Sequence, residues 1–241
     1  KLIGPEIRAE YLKSALVAGG KSDGTDLKIV YTPMHGVGWS AIEPLFQSSG
    51  SEALIPVPEQ VKPDGNFPTV AFPNPEEPGA IDLALETARS FDAHLVIAND
   101  PDADRCAAAV NDPVSGWRML RGDELGAIFA ESIARKIDSG IFANSIVSSS
   151  IVKKIAEHYN LQFKETLTGF KWLAKIENLT FGYEEALGYA VDAVTVNDKD
   201  GISAAITLAQ IATDLAADGK TVLDLLIEIW ARHGFHATEQ I

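Results

Sequence analysis

Three aspartates alternate with other residues in the segment Asp100-Pro101-Asp102-Ala103-Asp104-Arg105, and an arginine closes it. The preceding run, residues 95–98, is short, aliphatic and followed by turn-forming residues, so we expect a buried strand that ends in an acidic loop. Closely spaced carboxylates repel one another, and a hard divalent cation removes that conflict. We therefore expect Mg²⁺ to bind the three carboxylates, with Arg105 as a bidentate donor to a phosphate beside the metal. The expected metal ligands are Asp100, Asp102 and Asp104.

Three other interpretations of this acidic loop compete with a Mg²⁺ site. An EF-hand also begins with alternating acids, but it needs Gly at the sixth position and Glu at the twelfth. Arg105 and Asn111 occupy those positions, which excludes an EF-hand. A phosphatase of the haloacid-dehalogenase type also carries Asp-x-Asp after a strand, and that alternative stays open from the loop alone. An acidic surface loop without an ion is the remaining alternative.

Further polar residues occur where strands are expected to end or helices to begin. Glu184 and Glu185 follow Phe181-Gly182-Tyr183, and carboxylates suit sugar hydroxyls because each accepts two donors. Lys199 precedes a helix that is expected to start near Gly201, where a lysine and the helix dipole together favour a phosphate. Glu185 is equally a candidate for an acid that only supports the site, and Lys199 for an exposed lysine paired with its acidic neighbours.

Two more segments show a strand that turns into a helix. Thr168-Gly169-Phe170-Lys171 has this layout, although Lys171 is also a candidate for a solvated residue of the first helical turn. His35 lies on the glycine-rich turn 34–38, where we consider it a possible site residue against a purely structural role. The Gly-x-Gly-x-x-Gly spacing of a dinucleotide site is absent from that turn.

The pattern of the chain alternates between apolar strands and amphipathic helices, which is typical of parallel strands joined by crossover helices. We expect an α/β fold with two tandem α/β/α sandwich domains and mostly parallel mixed sheets. The domains should cover residues 1–115 and 116–241, divided at the turn 111–116, and a hinge should begin at Gly234. A capping-box pattern at Ser40 and Glu43 should start one helix. The other expected helices cover 5–18, 79–90, 123–137, 151–159, 169–177, 202–215 and 222–232, and the expected strands cover 27–31, 52–56, 94–98, 146–149 and 162–167, with a loop over 58–78.

Composition narrows the class of protein. The 241 residues are 46% hydrophobic, which suits two folded domains, and no segment is long and apolar enough to span a bilayer. The net charge of −14 argues against nucleic acid or an anionic membrane surface as a partner. The single cysteine, Cys106, cannot form an internal disulfide, which fits a reducing cytoplasm. The first residues include no initiating Met, so we expect a piece cut from a longer chain.

Seven segments in this order resemble the α-D-phosphohexomutase family, the phosphoglucomutases and phosphomannomutases. Besides the acidic loop, they are Thr32-Pro33-Met34-His35-Gly36-Val37-Gly38, Phe72-Pro73-Asn74-Pro75-Glu76, Gly122-Asp123-Glu124, Thr168-Gly169-Phe170-Lys171, Gly182-Tyr183-Glu184-Glu185-Ala186-Leu187-Gly188 and Asp198-Lys199-Asp200-Gly201. The Glu-Glu-Ala-Leu-Gly form is most similar to the phosphoglucomutase-2 and phosphopentomutase branch.

The resemblance implies a mutase that moves a phosphoryl group between the C1 oxygen and the C6 or C5 oxygen of a sugar. It also implies a phosphoserine, Mg²⁺, a bisphosphorylated intermediate and an activator of the glucose 1,6-bisphosphate type. Arg105 would offset charge on the phosphoryl group, and Glu184 would contact the sugar together with a Ser two residues later. Ala186 stands in place of that Ser, which puts hexose selectivity in question. Thr168, Gly169 and Lys171 would line the sugar site, and Lys199 would contact phosphate or the ring substituents.

Two parts of the resembling family have no counterpart in this sequence. The phosphoserine loop of the Thr-Ala-Ser-His-Asn-Pro type is absent, and so is the arginine- and serine-rich phosphate grip. We therefore expect the second and third domains of a phosphosugar mutase, with the first and fourth domains missing. A non-catalytic module that binds a small-molecule phosphosugar is the remaining alternative class.

Overall fold

The computed structural model of the chain describes residues 4–20, 27–50 and 54–238. These residues form two mixed β-sheets, each flanked by helices, so the expected α/β class with two α/β/α units is confirmed. One contiguous apolar core contains residues of both units. No helix in the described ranges has the length and apolarity needed to cross a membrane.

The first sheet has five strands in the order β2-β1-β3-β4-β5. Strand β1 pairs in parallel with β2 and β3, and the pairs β3–β4 and β4–β5 are antiparallel. Every residue of β1 and β3 is buried, as expected for strands covered on both faces. The elements of this part are α1 (Pro5–Gly19), β1 (Ile29–Thr32), α2 (Trp39–Ser49), β2 (Leu54–Pro56), α3 (Asp82–Phe91), β3 (Leu95–Asn99), β4 (Cys106–Asp112) and β5 (Gly116–Met119).

The second sheet has four strands in the order β7-β6-β8-β9. Strand β6 pairs in parallel with β7 and β8, and β9 runs antiparallel to β8. The carboxyl ends of β6, β7 and β8 therefore meet at one edge, where ligands of such sheets bind. The elements of this part are α4 (Gly122–Ala134), β6 (Ile141–Ser145), α5 (Ile151–His158), β7 (Gln162–Thr166), α6 (Phe170–Leu173), β8 (Leu179–Glu184), β9 (Gly188–Ala190), α7 (Gly201–Ala217) and α8 (Val222–His233).

Several expected elements differ from the observed ones. The turn after Asp112 closes the β4–β5 hairpin, since the Asp112 carboxylate accepts hydrogen bonds from two turn amides and Gly116 has a φ of 75°. The chain leaves the first sheet after Met119, and the division between residues 115 and 116 stays a prediction. Half of the strand pairs in the first sheet are antiparallel, so that sheet is mixed, as expected.

Three local expectations were wrong. The segment 146–149 is not a strand but the loop that follows β6. The helix expected over 169–177 covers only α6. No side chain caps α2, because the Ser40 hydroxyl donates to the Val37 carbonyl at 3.0 Å instead of accepting from the helix. The strand expected from Glu52 is described only from Leu54, and Glu52 lies outside the described residues.

Helix α7 comes from the second half of the sequence but packs on the first half. It contacts α1 and α2 and lies against β3 and β4 of the first sheet. The short strand β9 links α7 by packing to the second sheet. The two units follow one another along the chain, and α7 packs across from the second half of the sequence onto the first sheet.

A buried carboxylate joins the helices of the second unit. Glu131 of α4 is fully buried, and its Oε1 atom accepts hydrogen bonds from the Tyr159 hydroxyl at 2.8 Å, from Arg135 at 3.0 Å and from Arg232 of α8. Its Oε2 atom faces His233 Nε2 at 3.5 Å without a hydrogen bond. Burial raises the pKa of Glu131, but the Tyr159 hydroxyl and the two guanidinium groups outweigh burial and hold the pKa below its usual value.

Candidate active site

The three aspartates of the acidic loop converge directly after β3. One carboxylate oxygen from each of Asp100, Asp102 and Asp104 lies within 4.8 Å of the other two. The loop turns sharply because Ala103 adopts a φ of 61° and its amide donates to the Asp100 carbonyl at 2.9 Å. A positive φ at a residue with a side chain is costly, so the surrounding structure must hold this turn.

Two neighbouring loops hold the acidic loop in place. The amide of Val37 donates to the Pro101 carbonyl at 2.9 Å, and a β-carbon on Gly36 would lie 2.2 Å from Pro101. On the other side, a β-carbon on Gly201 would lie 2.2 Å from the Arg105 carbonyl oxygen. The glycines in the segments 32–38 and 198–201 thus permit a close backbone approach to the acidic loop.

Asn99 joins these contacts from the end of β3. Its side-chain amide donates to the Arg105 carbonyl at 2.6 Å and to the Gly201 carbonyl at 3.0 Å. Its Oδ1 atom accepts from the buried Tyr31 hydroxyl at 2.8 Å. One fully buried amide therefore fixes both the end of the acidic loop and the start of α7.

Two cations lie against the aspartates. Arg105 Nε donates to Asp100 Oδ2 at 2.6 Å, and the Arg105 amide donates to Asp100 Oδ1 at 3.0 Å. Burial raises the pKa of Asp100, and the bonds from Arg105 offset only part of that rise. The Lys199 ammonium pairs with Asp104. Burial lowers the pKa of Lys199, but the bond to Asp104 and the neighbouring carboxylates outweigh it, so the pKa lies above its ordinary value.

Helix α1 supports this part of the site from the start of the chain. The Tyr11 hydroxyl donates to both carboxylate oxygens of Asp200, at 2.9 and 3.0 Å. Asp200 in turn caps α7 by accepting from the Ile202 amide at 3.0 Å. Tyr11 was not anticipated, because no pattern in the sequence links it to a residue so far along the chain.

The expected sugar-binding residues meet at the carboxyl edge of the second sheet. Glu184 ends β8, and its Oε1 atom accepts a hydrogen bond from the Gly169 amide in the loop after β7. Gly169 has a φ of 113°, which favours glycine at this position. Thr168 is the neighbouring residue of the same loop, and Lys171 lies in the first turn of α6 with its ammonium 5.8 Å from the Trp172 ring centre.

Glu185 lies in a supporting position beside Glu184. Its Oε2 atom accepts from the Ser145 hydroxyl at 3.0 Å and from the Ser148 hydroxyl at 2.8 Å, and its amide donates to Ser148 at 3.1 Å. These contacts hold the loop after β8 against the loop after β6. The structure therefore gives Glu185 a clear role in shaping the loop that carries Glu184 and Ala186.

His35 lies near the acidic loop, and its contacts with the described residues anchor a neighbouring loop. Its ring Nε2 atom is 2.8 Å from the Thr69 hydroxyl, and the ring is buried. Its backbone exchanges hydrogen bonds with Gln60 and Asp64, at 3.0 and 2.9 Å. These contacts anchor the long loop between β2 and α3, and they support the structural alternative for His35.

A short backbone bridge joins the acidic loop of the first unit to the loop after β8, which carries Glu184 and Glu185. Arg105 and Gly188 form an antiparallel bridge, and the Cys106 amide donates to the Leu187 carbonyl at 3.0 Å. The acidic loop with its cations and the loop of Glu184 are therefore connected across the two sheets. This arrangement offers oxygen ligands for a cation, cations for an anion, and carboxylates for hydroxyl groups.

Two family models of α/β/α domains match the chain. Residues 9–116 match phosphoglucomutase/phosphomannomutase α/β/α domain II, and residues 121–233 match α/β/α domain III. The chain belongs to the phosphoglucomutase/phosphomannomutase family, as the sequence resemblance indicated.

Relatives and solved structures agree with this membership. The chain is 44% identical over 237 residues to a "Probable phosphomannomutase" of Haemophilus influenzae, covering 98% of this chain and 48% of that protein. It is 44% identical over 205 residues to the phosphoribomutase of Saccharomyces cerevisiae, covering 75% and 33%. A Burkholderia thailandensis phosphoglucomutase/phosphomannomutase family structure superimposes with a TM-score of 0.78 at 19% identity, covering 92% and 46%. The chain thus spans half or less of the length of these proteins.

Proposed function

We propose that the chain supplies the metal-binding and sugar-binding domains of a phosphosugar mutase. The enzyme would move a phosphoryl group between the C1 oxygen and the C6 or C5 oxygen of a sugar. The observation that carries this proposal is the bridge between Arg105 and Gly188, which joins the carboxylate cluster to the loop that we expect to bind the sugar. The named activities of the relatives, which include hexose and pentose phosphomutases, support the reaction class.

The carboxylate cluster fits Mg²⁺ in donor type and nearly in spacing. Oxygen ligands of one octahedral Mg²⁺ lie about 2.9 to 4.2 Å apart, given Mg–O distances of about 2.0 to 2.1 Å. The carboxylate oxygens here lie within 4.8 Å of one another, so small side-chain rotations bring them into range. We infer that Asp100, Asp102 and Asp104 hold the ion, which would offset negative charge on the transferring phosphoryl group.

The residues around the metal site would bind the phosphates and the sugar. Arg105 would direct its free N–H groups at the phosphoryl group while Asp100 holds the rest of the guanidinium. Lys199, already beside Asp104, would bind phosphate at the metal. Glu184 would accept hydroxyl groups of the sugar, with Glu185 holding its loop. Thr168, Gly169 and Lys171 would line the same site, with Lys171 near the second phosphate.

The donor and activator follow from the reaction class. A phosphoserine would supply the phosphoryl group. Because no Ser-His-Asn-Pro sequence occurs in this chain, the chain alone should have no mutase activity. A bisphosphorylated sugar of the glucose 1,6-bisphosphate type would prime the parent enzyme. A human glucose 1,6-bisphosphate synthase, 36% identical over 234 residues and covered to 38%, supports this activator. The partner would be a phosphosugar in the cytoplasm.

The metal site can be tested on the chain itself by thermal melting. An ion that binds only the folded state adds RT ln(1 + [L]/Kd), about 2.7 kcal/mol at a hundredfold excess over Kd. At about 2 to 4 °C per kcal/mol for a chain of this size, Mg²⁺ should raise Tm by about 5 to 11 °C. Asp102→Asn should abolish the shift, because it removes one of the three carboxylates of the site. The substitution should leave the fold intact, because Asp102 is exposed and forms no hydrogen bond or ion pair with any described residue.

A matched variant separates the site from general charge effects. Asp138→Asn changes another exposed aspartate and should leave the Mg²⁺ shift intact. An equal shift in wild type and Asp102→Asn would place the ion elsewhere and remove the basis of the proposal. Hydrolysis of an aryl phosphate by the chain would favour the phosphatase class. Sugar-phosphate binding that does not depend on Mg²⁺ would favour a non-catalytic module.

A further inference from the structure

The segment Phe72-Pro73-Asn74-Pro75-Glu76 meets the site through one side chain. The Asn74 Oδ1 atom accepts a hydrogen bond from Arg105 Nη1 at 3.1 Å. The same oxygen accepts from the Glu76 amide at 3.2 Å, which closes an Asx turn. The sequence singles out this segment as a motif, yet the roles proposed above leave it without one.

The backbone presents Asn74 to Arg105 in a rigid turn. The Asn74 amide donates to the Phe72 carbonyl at 2.9 Å, and the Glu77 amide donates to the Asn74 carbonyl at 3.0 Å. Prolines on both sides of Asn74 restrict the backbone, and Pro75 is buried. The carboxamide therefore approaches Arg105 with little freedom left to lose.

Arg105 is held at two separate points of its planar group. Nε donates to Asp100 at 2.6 Å, and Nη1 donates to Asn74 at 3.1 Å. Nη2 has no hydrogen-bond partner among the residues that the structure describes. Two fixed points set both the plane and the direction of the guanidinium, so Nη2 is aimed rather than free to swing.

We propose that Asn74 is a positioning residue that aims Arg105 at the transferring phosphoryl group. This inference rests on the proposed mutase function, in which Arg105 contacts that group. A neutral amide suits the task, because it accepts a hydrogen bond from the guanidinium without cancelling its charge. A second carboxylate beside Asp100 would hold Arg105 equally well but would lower the positive potential felt by the phosphate.

The test is a double-mutant cycle in the full-length parent enzyme. Asn74→Ala should lower kcat by about tenfold or more, with a smaller change in KM, because the lost interaction matters most in the transition state. In an Arg105→Gln background, Asn74→Ala should cause no further loss, since the residue it positions is gone. A titration with glucose 1-phosphate, followed by ³¹P NMR, should show a smaller effect of Asn74→Ala on binding than on kcat.

Two further variants keep the test independent of folding. Asn74→Ser retains an acceptor for the Glu76 amide but cannot reach Arg105, so it should melt like wild type and still lose the rate. Asn66→Ala is the matched control in the same loop, because the Asn66 carboxamide donates only to Asp64 in an exposed Asx turn among the described residues. This variant should leave kcat and Tm unchanged.

The outcomes separate this inference from the proposed function. Equal losses for Asn74→Ala in both backgrounds, or full activity of Asn74→Ser, would limit Asn74 to a role in the turn and overturn the inference. In those cases the mutase function would stand. A wild-type parent without mutase activity would instead overturn the function itself.

Discussion

Gly201→Ala sets two opposing effects against each other at the start of α7. Alanine is normally favoured over glycine in a helix, by up to about 1 kcal/mol. Gly201 has no positive φ that would penalise a side chain. Any loss of stability must therefore come from the surroundings of the new β-carbon.

The surroundings leave no room for that β-carbon. It would lie 2.2 Å from the Arg105 carbonyl oxygen, 2.6 Å from Asn99 Nδ2 and 2.7 Å from the Ala103 carbonyl oxygen. Two of these atoms belong to the backbone. The third, Asn99 Nδ2, is held in place because it donates hydrogen bonds to the carbonyls of Arg105 and Gly201. Overpacking of this kind costs about 1 to 3 kcal/mol, and occasionally more, so the clash outweighs the helix preference.

The assay compares Gly201→Ala with Gly65→Ala by thermal melting of the chain. A net loss of about 1 to 2 kcal/mol should lower Tm by about 2 to 8 °C for a chain of this size. Gly65 has open space around its β-carbon position and no positive φ, so its variant should melt within about 2 °C of wild type. The clash also displaces the acidic loop, so Mg²⁺ should stabilise Gly201→Ala less than wild type.

If Gly201→Ala melted at or above the temperature of Gly65→Ala, the close approach of α7 to the acidic loop would be refuted. A normal Mg²⁺ shift in a destabilised Gly201→Ala would show that the clash relaxes into α7 and leaves the carboxylates in place.

Three other predictions concern the second unit. Glu131→Gln should lower Tm at pH 7 well beyond the matched surface change Glu228→Gln, because it leaves two arginines without their carboxylate. The folded pKa of Glu131 is depressed, so its stabilisation exists above the ordinary value of 4.5 and is lost as pH falls through the folded pKa. The Tm difference should thus shrink below about pH 4.5, and a constant difference would contradict this assignment. In the parent enzyme, Glu184→Ala should lower kcat/KM by about tenfold or more. Ala186→Ser should shift preference toward hexose over pentose phosphates, and unchanged kcat/KM ratios in both variants would reject the sugar-reading role of this loop.

The sequence predicted the parallel strands β1, β3 and β7 and the acidic loop because they have local signals. A run of aliphatic residues followed by Asn-Asp-Pro specifies a buried strand and its end, and β3 confirms it. The meeting of Glu184 with Gly169 follows from the rule that the carboxyl ends of parallel strands share one edge.

The remaining features depend on distant contacts. Strand β4 begins with Cys106 and three alanines, which carry little strand preference, and its burial comes from the neighbours on both sides. The hairpin turn after Asp112 has the composition of a linker, so it suggested a domain boundary. The contacts of Asn74 with Arg105 and of Tyr11 with Asp200 join residues that no local pattern relates.

The placement of α7 also bears on how the chain folds. The first sheet is complete in sequence at Met119, but the helix that packs on β3 and β4 ends only at Ala217. Contacts across so many residues raise the contact order and delay folding until the later segment is available. During synthesis, the first sheet would leave the ribosome with the apolar surface beneath α7 uncovered, a state that favours aggregation or chaperone binding. An expression fragment that ends at the β4–β5 hairpin should therefore aggregate. A fragment that continues through α7 should aggregate less, because α7 covers the apolar surface of the first sheet.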